Sequence, residues 1–259
     1  MDLKLRNKSV LITGPAKGMG AAITLAFARE GCRLVLVGRD VAAIEPVAEQ
    51  ARALGVEAAV LRCDLTDTAA VEATAARAGT VDVLVNVAGG SGPIGKTGWE
   101  TTRDEFDEIV TLNMAGCFNT MRAVLPGMIA QGGGKVVNVG GTFGMRGRAG
   151  RMAYSASKWG LRGITKSFAL EAGPHNVNVN CVAPGMVDGP RFRTKVVPEM
   201  AARLGISEEA AAEKHAADYA LRRITVDEDV ANACLFLASD VSRQITGTDL
   251  PVDGGWAML

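Results

Sequence analysis

The sequence predicts a single α/β domain built on a doubly wound, predominantly parallel sheet of about seven strands. Three observations predict it. Short continuous apolar runs alternate with longer helical patterns, no proline-rich linker or repeat divides the 259 residues, and a glycine-rich turn follows the first apolar run. Continuous apolar strands are typical of a parallel sheet covered on both faces, and right-handed crossovers join such strands. We therefore expect residues 1–259 to fold as one domain.

Each strand is predicted from a short run rich in valine, leucine and isoleucine, and each helix from apolar residues at helical spacing. The chain begins with a strand at 9–13 and a helix at 20–30, then a strand at 33–37 and a helix at 41–54. Next come a strand at 58–63, a helix at 69–78, a strand at 81–86 and a long helix at 102–128. The remaining elements are strands at 135–139, 177–182 and 249–252, and helices at 154–172, 208–221 and 227–238.

The charge balance argues against two classes of partner, although it leaves a local basic patch open. The chain has 28 Lys and Arg residues against 28 Asp and Glu residues, so its formal net charge is zero. A nucleic-acid-binding protein generally needs a basic face, and an anionic membrane attracts basic proteins. No apolar run approaches the about 20 residues of a membrane span. We expect neither nucleic acid nor membrane as a partner.

The cysteines and histidines indicate a reduced, metal-free protein. Five cysteines are widely and irregularly spaced with no C-x-x-C pair, and the two histidines, His175 and His215, have no ligand spacing with cysteines or acids. Irregular cysteines without a secretory leader are typical of reduced, cytoplasmic proteins, where they serve as small buried apolar residues. We expect a cytoplasmic location and no metal site.

A glycine-rich turn after the first predicted strand is the first sign of function. The chain has 31 glycines, and Gly14, Lys17, Gly18, Met19 and Gly20 lie where the first strand passes into the first helix. Such a turn lets the backbone approach a pyrophosphate, whose negative charge is stabilised at the helix N-terminus. A glycine-rich turn without a ligand is the alternative interpretation, but the position in the first β-α unit favours nucleotide binding.

The spacing T-G-x-x-x-G-x-G at 13–20, together with further motifs in the same order along nearly the whole chain, resembles the short-chain dehydrogenase/reductase family. The resemblance implies a Rossmann-like fold, hydride transfer between a nicotinamide cofactor and a carbonyl or alcohol carbon, and a homo-oligomer, commonly a tetramer. The other matching segments are C-D-L at 63–65, N-V-A-G at 86–89, N-x-x-G at 113–116, Y-x-x-x-K at 154–158, P-G at 184–185, I-T-G at 245–247 and V-D-G-G at 252–255.

Tyr154 and Lys158 are the candidate proton-transfer pair. On a helix they are i,i+4 neighbours, so the ammonium lies near the phenol and favours its ionised form. An ordinary amphipathic helix has the same spacing. The family resemblance implies that Tyr154 is the general acid/base, that Lys158 also contacts the nicotinamide ribose, and that Asn113 organises a water-linked proton relay. Asn113 on its own is equally typical of a helix cap or brace.

One family position is occupied by a different residue type. The family normally has a substrate-polarising serine thirteen residues before the tyrosine, which here is Gly141. Glycine has no hydroxyl to donate to a carbonyl or a developing oxyanion. Thr142 is the nearest replacement, although a shift of one residue can turn its side chain the other way. Slower chemistry, a hydroxyl from another loop or from the substrate, and a noncatalytic nucleotide-binding protein are the alternatives.

The end of the second strand favours NADP over NAD. By resemblance the acidic, NAD-selecting position is Gly38, and Arg39 follows it, with Lys17 as a second cation for a 2′-phosphate. Asp40 is the counterargument, because a small loop shift would aim it at the ribose or neutralise Arg39. The resemblance also assigns Asp64 and Leu65 to the adenine pocket, Asn86, Ala88 and Gly89 to the sugars, and Pro184, Gly185 and Val187 to the nicotinamide.

Two loop segments are candidates for substrate recognition, since substrates of such sheets bind beyond the strand ends. One is the basic segment 145–151, and the other is a substrate lid at 189–220 that begins with Arg191, Arg193 and Lys195. These cations suit a carboxylate, a phosphate or a thioester carrier, but a solvated charged face or a subunit contact is the alternative. The leading hypothesis is NADP-linked interconversion of a carbonyl and an alcohol; NAD-linked alcohol oxidation is the second.

Overall fold

The computed structural model describes residues 2–258, so the predicted domain limits, residues 1 and 259, lie outside the described part. Seven strands form one sheet in the order β3-β2-β1-β4-β5-β6-β7, and every neighbouring pair is parallel. This confirms the predicted fold class. The strands are β1 (Ser9–Thr13), β2 (Arg33–Gly38), β3 (Ala58–Arg62), β4 (Val83–Asn86), β5 (Gly134–Val139), β6 (Val177–Pro184) and β7 (Asp249–Val252).

Nine α-helices of the described residues cover the sheet and its carboxyl edge. They are α1 (Met19–Arg29), α2 (Val41–Ala53), α3 (Thr68–Ala78), α4 (Arg103–Val110), α5 (Gly116–Ala130), α6 (Met152–Ala172), α7 (Val197–Leu204), α8 (Glu208–Ala216) and α9 (Asp227–Ala238). Within residues 2–258 no helix combines the length and the apolar character needed to cross a bilayer.

The apolar core lies in two layers, one on each face of the sheet. Val10 and Ile12 of β1 belong to the layer that includes Phe27 of α1, whereas Leu11 belongs to the layer that includes Met121 of α5 and Leu161 of α6. Successive residues of a strand point to opposite faces, so an uninterrupted apolar run feeds both layers. The continuous runs in the sequence are therefore explained by helices on both faces.

Two of the predicted helices differ from the observed ones by more than two residues, and one helix was not predicted. The interval 102–128 is divided by a π-helical turn at Thr111–Ala115, and the interval 208–221 ends at Ala216. The unpredicted helix, α7, follows a second π-helical turn and ends at Leu204, where the C-cap residue Gly205 has a left-handed conformation. Short helices and widened turns are set by side-chain contacts beyond the local apolar pattern, which explains why periodicity missed them.

The carboxyl ends of the parallel strands meet at one edge of the sheet. The strand order reverses between β1 and β4, because the chain proceeds from β1 to β2 and β3 on one side and from β4 to β5, β6 and β7 on the other. The usual ligand site of a doubly wound sheet is the crevice outside the carboxyl ends of the strands at such a reversal of strand order. Gly14 follows β1, and Gly89 lies three residues after β4.

Candidate active site

The turn between β1 and α1 is folded tightly against the segment that follows β4. A Cβ at Gly14 would lie 2.7 Å from Ala88 Cα, and a Cβ at Gly20 would lie 2.1 Å from the Gly14 carbonyl oxygen. At the start of α1, Gly18 is the N-cap residue, and neither a side-chain cap nor an acidic residue occupies the first turn. Free N–H groups and the helix dipole at this terminus suit an anion such as a pyrophosphate.

The cations predicted to contact the adenosine side are exposed near this turn. Lys17 precedes Gly18 in the turn, and Arg39 follows the end of β2. The carboxylate of Asp40 accepts a hydrogen bond from the Ala43 N–H at 3.1 Å, as the N-cap of α2. Its hydrogen-bonding capacity is thus partly used within its own helix.

Asp64 and Leu65 lie just after β3. The Asp64 carboxylate accepts hydrogen bonds from the Thr66 N–H at 3.0 Å and from Thr66 Oγ1 at 2.8 Å. These bonds, with a smaller contribution from the positive charge of Arg39, lower the pKa of Asp64. Leu65 is buried, and its carbonyl accepts a hydrogen bond from Asn119.

Asn86 braces the sheet edge through a buried hydrogen-bond network. Its Nδ2 donates to Asn138 Oδ1 at 2.9 Å, and Thr120 Oγ1 donates to its Oδ1 at 2.8 Å. The next residues are held by Thr13, whose Oγ1 accepts from the backbone N–H groups of Val87 and Ala88. Hydrogen bonds with Thr13, Thr120 and Asn138 therefore hold this segment in place.

Asn113 lies in the π-helical turn and is 1% exposed. Its Oδ1 accepts from the Gly90 N–H at 2.8 Å, and its Nδ2 donates to the Gly90 carbonyl at 3.2 Å and to Ser157 Oγ at 3.0 Å. A Cβ at Gly89 would lie 2.8 Å from Asn113 Oδ1, so only glycine fits this close approach. Widened turns of this kind are frequent at functional sites.

Tyr154 and Lys158 lie on one face of α6, as predicted. Lys158 Nζ is 5.7 Å from the centroid of the Tyr154 ring and donates a hydrogen bond to the Val139 carbonyl at 3.1 Å. The lysine is 6% exposed, and its Nζ would lie 3.9 Å from a Cβ at Gly89. The ammonium group therefore lies beside the phenol ring and close to the segment that Asn113 holds.

Gly141 faces the hydroxyl of Tyr154. A Cβ at position 141 would lie 3.4 Å from Tyr154 Oη and 3.9 Å from the Pro184 carbonyl oxygen. The backbone there is extended, with φ near 160°, so any residue type fits the conformation. Thr142, the predicted alternative donor, is 3% exposed and begins a short 3₁₀ turn.

Pro184 is the last residue of β6, and Gly185 and Val187 follow it at the carboxyl edge of the sheet. The Gly185 N–H donates to the Val252 carbonyl at 3.0 Å, and a Cβ at Gly185 would lie 3.0 Å from Asp253 Cβ. Val187 forms an isolated bridge with Thr225. The segment is thus fixed by the end of β7 and by the residues that follow it.

The predicted lid at 189–220 comprises the second π-helical turn, α7 and α8, which share a small apolar cluster that includes Phe192 and Ala211. Its basic residues are not grouped. Arg193 pairs with Asp188, with Nε 2.6 Å from Oδ1, whereas Lys195 is exposed. Arg191 turns away from this pair and donates from Nη1 to Ser91 Oγ at 2.7 Å.

Two further residues lie beside Tyr154: Ser157, which the sequence analysis did not single out, and Arg151, which it included only as the end of the basic segment 145–151. Ser157, which links Asn113 to α6, donates to the Tyr154 carbonyl at 2.8 Å. Arg151 is 8% exposed, with Cζ 4.6 Å from the Tyr154 ring centroid. Spacing offered a signal for both, since each lies three residues from Tyr154 on the same helical face.

The cysteines and metal-ligand groups offer no second centre among the described residues. All five cysteines are buried and free, and burial raises the pKa of Cys117 to about 11 and that of Cys181 to about 12. Such thiols are poor nucleophiles. In residues 2–258 no group of three or more His, Cys, Asp or Glu side chains is arranged to hold a metal ion.

Comparison with known proteins finds similarity along almost the whole chain. A family model described as enoyl-(acyl carrier protein) reductase matches residues 14–257. The 3-oxoacyl-[acyl-carrier-protein] reductase FabG of Thermotoga maritima is 34% identical over 266 aligned positions, which cover 98% of this chain and 99% of that protein.

Two solved structures are similar in fold over their full length. NAD+-bound xylitol dehydrogenase superposes with a TM-score of 0.89 and 30% identity, covering 97% of this chain and 100% of the other. A variant of actinorhodin polyketide ketoreductase with NADPH has a TM-score of 0.89 and 31% identity, covering 98% of both chains. Proteins of this fold thus occur with either nicotinamide cofactor.

Proposed function

This chain belongs to the short-chain dehydrogenase/reductase family and is an NAD(P)-dependent oxidoreductase, and we propose that it interconverts a carbonyl and an alcohol with NADP as cofactor. The observation that carries the proposal is the meeting of Tyr154, Lys158 and Asn113 at the carboxyl edge of the sheet, next to the glycine turn. Tyr154 and Lys158 come from α6 and Asn113 from the π-helical turn, and the convergence of these two segments at the usual ligand side of the sheet supports a catalytic role.

Bound at this side of the sheet, a nicotinamide cofactor supplies or accepts the hydride. In the reductive direction Tyr154 Oη donates a proton to the carbonyl oxygen as the carbonyl carbon gains the hydride, which yields an alcohol and a phenolate. The ammonium of Lys158, 5.7 Å from the ring centroid, stabilises that phenolate. In the oxidative direction the phenolate accepts the alcohol proton, so the same residue is both acid and base.

Asn113 is proposed to organise the proton supply behind this pair. Its amide forms hydrogen bonds with the Gly90 backbone and with Ser157. Gly89 lies next to both Asn113 and Lys158, because a Cβ at Gly89 would be 2.8 Å from Asn113 Oδ1 and 3.9 Å from Lys158 Nζ. A water molecule held near Lys158 and Asn113 would return a proton to Tyr154 after each reduction. Ser157 keeps the Asn113 amide oriented, and through its bond to the Tyr154 carbonyl it ties this group to α6.

The preference for NADP rests on charge at the adenosine side. Arg39 and Lys17 are exposed cations at the ends of β2 and β1, and Gly38 provides no carboxylate for a ribose. Asp40, the residue that favours NAD, has its carboxylate at the N-terminus of its own helix. A guanidinium binds a phosphate through two parallel hydrogen bonds, which supports Arg39 as the 2′-phosphate ligand.

Turnover and cofactor binding together test the proposal. Purified protein is assayed with a panel of ketones, aldehydes and secondary alcohols by the absorbance of the reduced nicotinamide, and cofactor affinity is measured by fluorescence. We expect Tyr154→Phe to abolish turnover while cofactor affinity is retained, and Tyr219→Phe, the change at the only other tyrosine, to keep turnover. Full activity of Tyr154→Phe would refute the assigned acid/base.

A noncatalytic nucleotide-binding role is the second candidate, and Gly141 is the observation that favours it. No hydroxyl is attached at the position that faces Tyr154 Oη. Nucleotide binding by the wild-type protein without turnover across the panel would favour this role. Turnover only with NAD and secondary alcohols would instead favour NAD-linked oxidation.

We also propose that the protein is a cytoplasmic homo-oligomer, with a tetramer as the expected assembly. Exposed apolar side chains on α5 and α6, among them Phe118, Trp159 and Leu170, support an interface on these helices. Light scattering coupled to size-exclusion chromatography measures the mass directly. A monomer at micromolar concentration would refute the assembly, and Trp159→Lys is expected to lower the mass of the wild-type species.

A further inference from the structure

We propose that Arg151 and Arg191 form an oxyanion-binding site beside Tyr154, so that the carbonyl substrate carries a carboxylate or a phosphate. For the identity of the substrate the inference rests on the proposed function, whereas the anion site itself is tested by binding. The site is built from three separate segments: the start of α6, the loop after β4 and the beginning of the lid.

Arg151 is a buried cation with unused hydrogen-bonding capacity. It is 8% exposed, and its Nε is buried without a hydrogen-bond partner among the described residues. Its Nη2 donates to the Ser91 carbonyl at 2.9 Å. Burial of a charged group without a counter-ion is costly, and so is an unsatisfied buried donor. A bound anion would satisfy both at once.

Arg191 reaches the same residue from the lid. Its Nη1 donates to Ser91 Oγ at 2.7 Å, whereas Arg151 donates to the Ser91 carbonyl, so each guanidinium group contacts a different oxygen of Ser91. Arg151 is 60 residues and Arg191 is 100 residues from Ser91 in the sequence. The positive charge of Arg191 acts on Arg151, and an anion that contacts both guanidinium groups would offset the repulsion between them.

Among residues 2–258, no carboxylate forms an ion pair with Arg151. Burial, the first cause, lowers the pKa of Arg151, and the groups whose charge also affects it are Arg191, Tyr154 and Arg148. None of these is a carboxylate. By contrast, Arg193 in the same lid is paired with Asp188. The structure thus neutralises one lid arginine and leaves positive charge concentrated next to Tyr154.

The position of the site relates the anion to the reacting carbonyl. Arg151 Cζ lies 4.6 Å from the centroid of the Tyr154 ring, whose hydroxyl is the proposed proton donor. This distance is short enough for one small molecule to place an anion at Arg151 and a carbonyl at Tyr154 Oη. Guanidinium groups bind planar carboxylates and phosphates through paired hydrogen bonds, which fixes the direction of the bound substrate as well as its affinity.

A binding measurement tests the site without turnover. Malonate, inorganic phosphate and neutral malonamide are each titrated into the protein by calorimetry. The protein is first saturated with oxidised NAD or NADP, whichever binds more tightly, so that the sites for the cofactor's own phosphates are filled. We expect an anion to bind, and Arg151→Gln and Arg191→Gln to weaken its Kd at least tenfold. Arg77→Gln, which removes an exposed charge on α3, should leave the Kd unchanged.

Three outcomes of the titration are informative. Preferential binding of malonate assigns the site to a carboxylate, and preferential binding of phosphate assigns it to a phosphate ester. Absence of binding, or equal Kd values in all four proteins, would overturn the proposal. Arg151 also packs on the Tyr154 ring, so Arg151→Gln could disturb the fold as well as the anion site. Arg191 is exposed, and Arg191→Gln therefore tests the anion site even if Arg151→Gln does not fold.

Turnover then tests the substrate class. Short oxo acids and phosphorylated ketones are compared with neutral partners of the same carbon skeleton, methyl esters and free hydroxyketones. We expect the anionic member of each pair to have the higher kcat/KM in the wild type. Arg191→Gln should lower kcat/KM for the anionic member at least tenfold, by raising its KM. Equal kcat/KM for the two members would refute the anion site while leaving the oxidoreductase intact; no turnover of either would instead count against the proposed function.

Discussion

The substitution Gly141→Ser is expected to accelerate catalysis. A Cβ at this position would lie 3.4 Å from Tyr154 Oη and 3.9 Å from the Pro184 carbonyl oxygen, both ordinary contact distances. The extended backbone adds no strain. The serine hydroxyl is one bond beyond Cβ, within hydrogen-bonding reach of a carbonyl oxygen that contacts Tyr154 Oη. The variant would thus supply the donor that glycine lacks.

The size of the gain follows from the value of a single oxyanion donor. Removal of one such donor from an enzyme typically costs about 10²–10³ in kcat, or about 2.7–4 kcal/mol. A donor introduced into an existing site supplies only part of this stabilisation of the transition state. We therefore expect kcat to rise by about tenfold to a hundredfold, which corresponds to a barrier lower by about 1.4–2.7 kcal/mol. The gain should lie in kcat, because the hydroxyl interacts most strongly with the charge that develops on the oxygen.

Steady-state kinetics with the best carbonyl substrate of the panel measures the effect, and Gly141→Ala is the matched control. Alanine adds the same Cβ without the hydroxyl, so it isolates the hydrogen bond from the change in packing. Thermal unfolding of both variants checks that the fold is kept. Equal kcat values for the serine and alanine variants would refute the reasoning and indicate that the oxygen already has a donor, with Thr142 as the nearest one.

Two further predictions concern the cofactor and the lid. Arg39→Gln should lower the affinity for NADP by roughly 10-fold to 100-fold and leave the affinity for NAD nearly unchanged, because the variant loses a charge-assisted hydrogen bond of about 1.5–3 kcal/mol. Titration of the wild type and the variant with both cofactors measures the effect. An equal loss of affinity for NADP and NAD would contradict the assignment of Arg39 to the 2′-phosphate. Burial lowers the pKa of His215 on α8, whereas the charge of Asp218 raises it and that of Arg148 lowers it further. The unfolded chain therefore binds the proton more readily, and stability should be full above the ordinary pKa of about 6.5 and fall as the pH drops below it. Unfolding temperatures at several pH values for the wild type and His215→Phe test this; an unchanged acid sensitivity in the variant would exclude the histidine as its source.

The fold was largely predictable because its signals are local. The strand at 9–13 is bounded in the structure as the apolar run indicated, and the last strand agrees at both ends. Buried parallel strands need apolar residues on both faces, so the run itself carries the information. The helix at Val197–Leu204 was missed because its ends depend on a widened turn and on Gly205, which no apolar period reveals.

The sequence by itself determined the glycine turn, the neighbouring positions of Tyr154 and Lys158 on one helix, and the absence of a serine at 141. Each of these depends on residues within a few positions of one another, for which backbone geometry is sufficient.

Only the tertiary structure decided which distant groups meet. In the fold, Gly141 lies beside the Tyr154 hydroxyl. Asn113 forms hydrogen bonds with Gly90 and Ser157. Arg151 and Arg191 both donate hydrogen bonds to Ser91. Arg193 instead pairs with Asp188 and takes no part in the proposed anion site. These contacts depend on strand order and loop closure, which spacing along the chain does not encode.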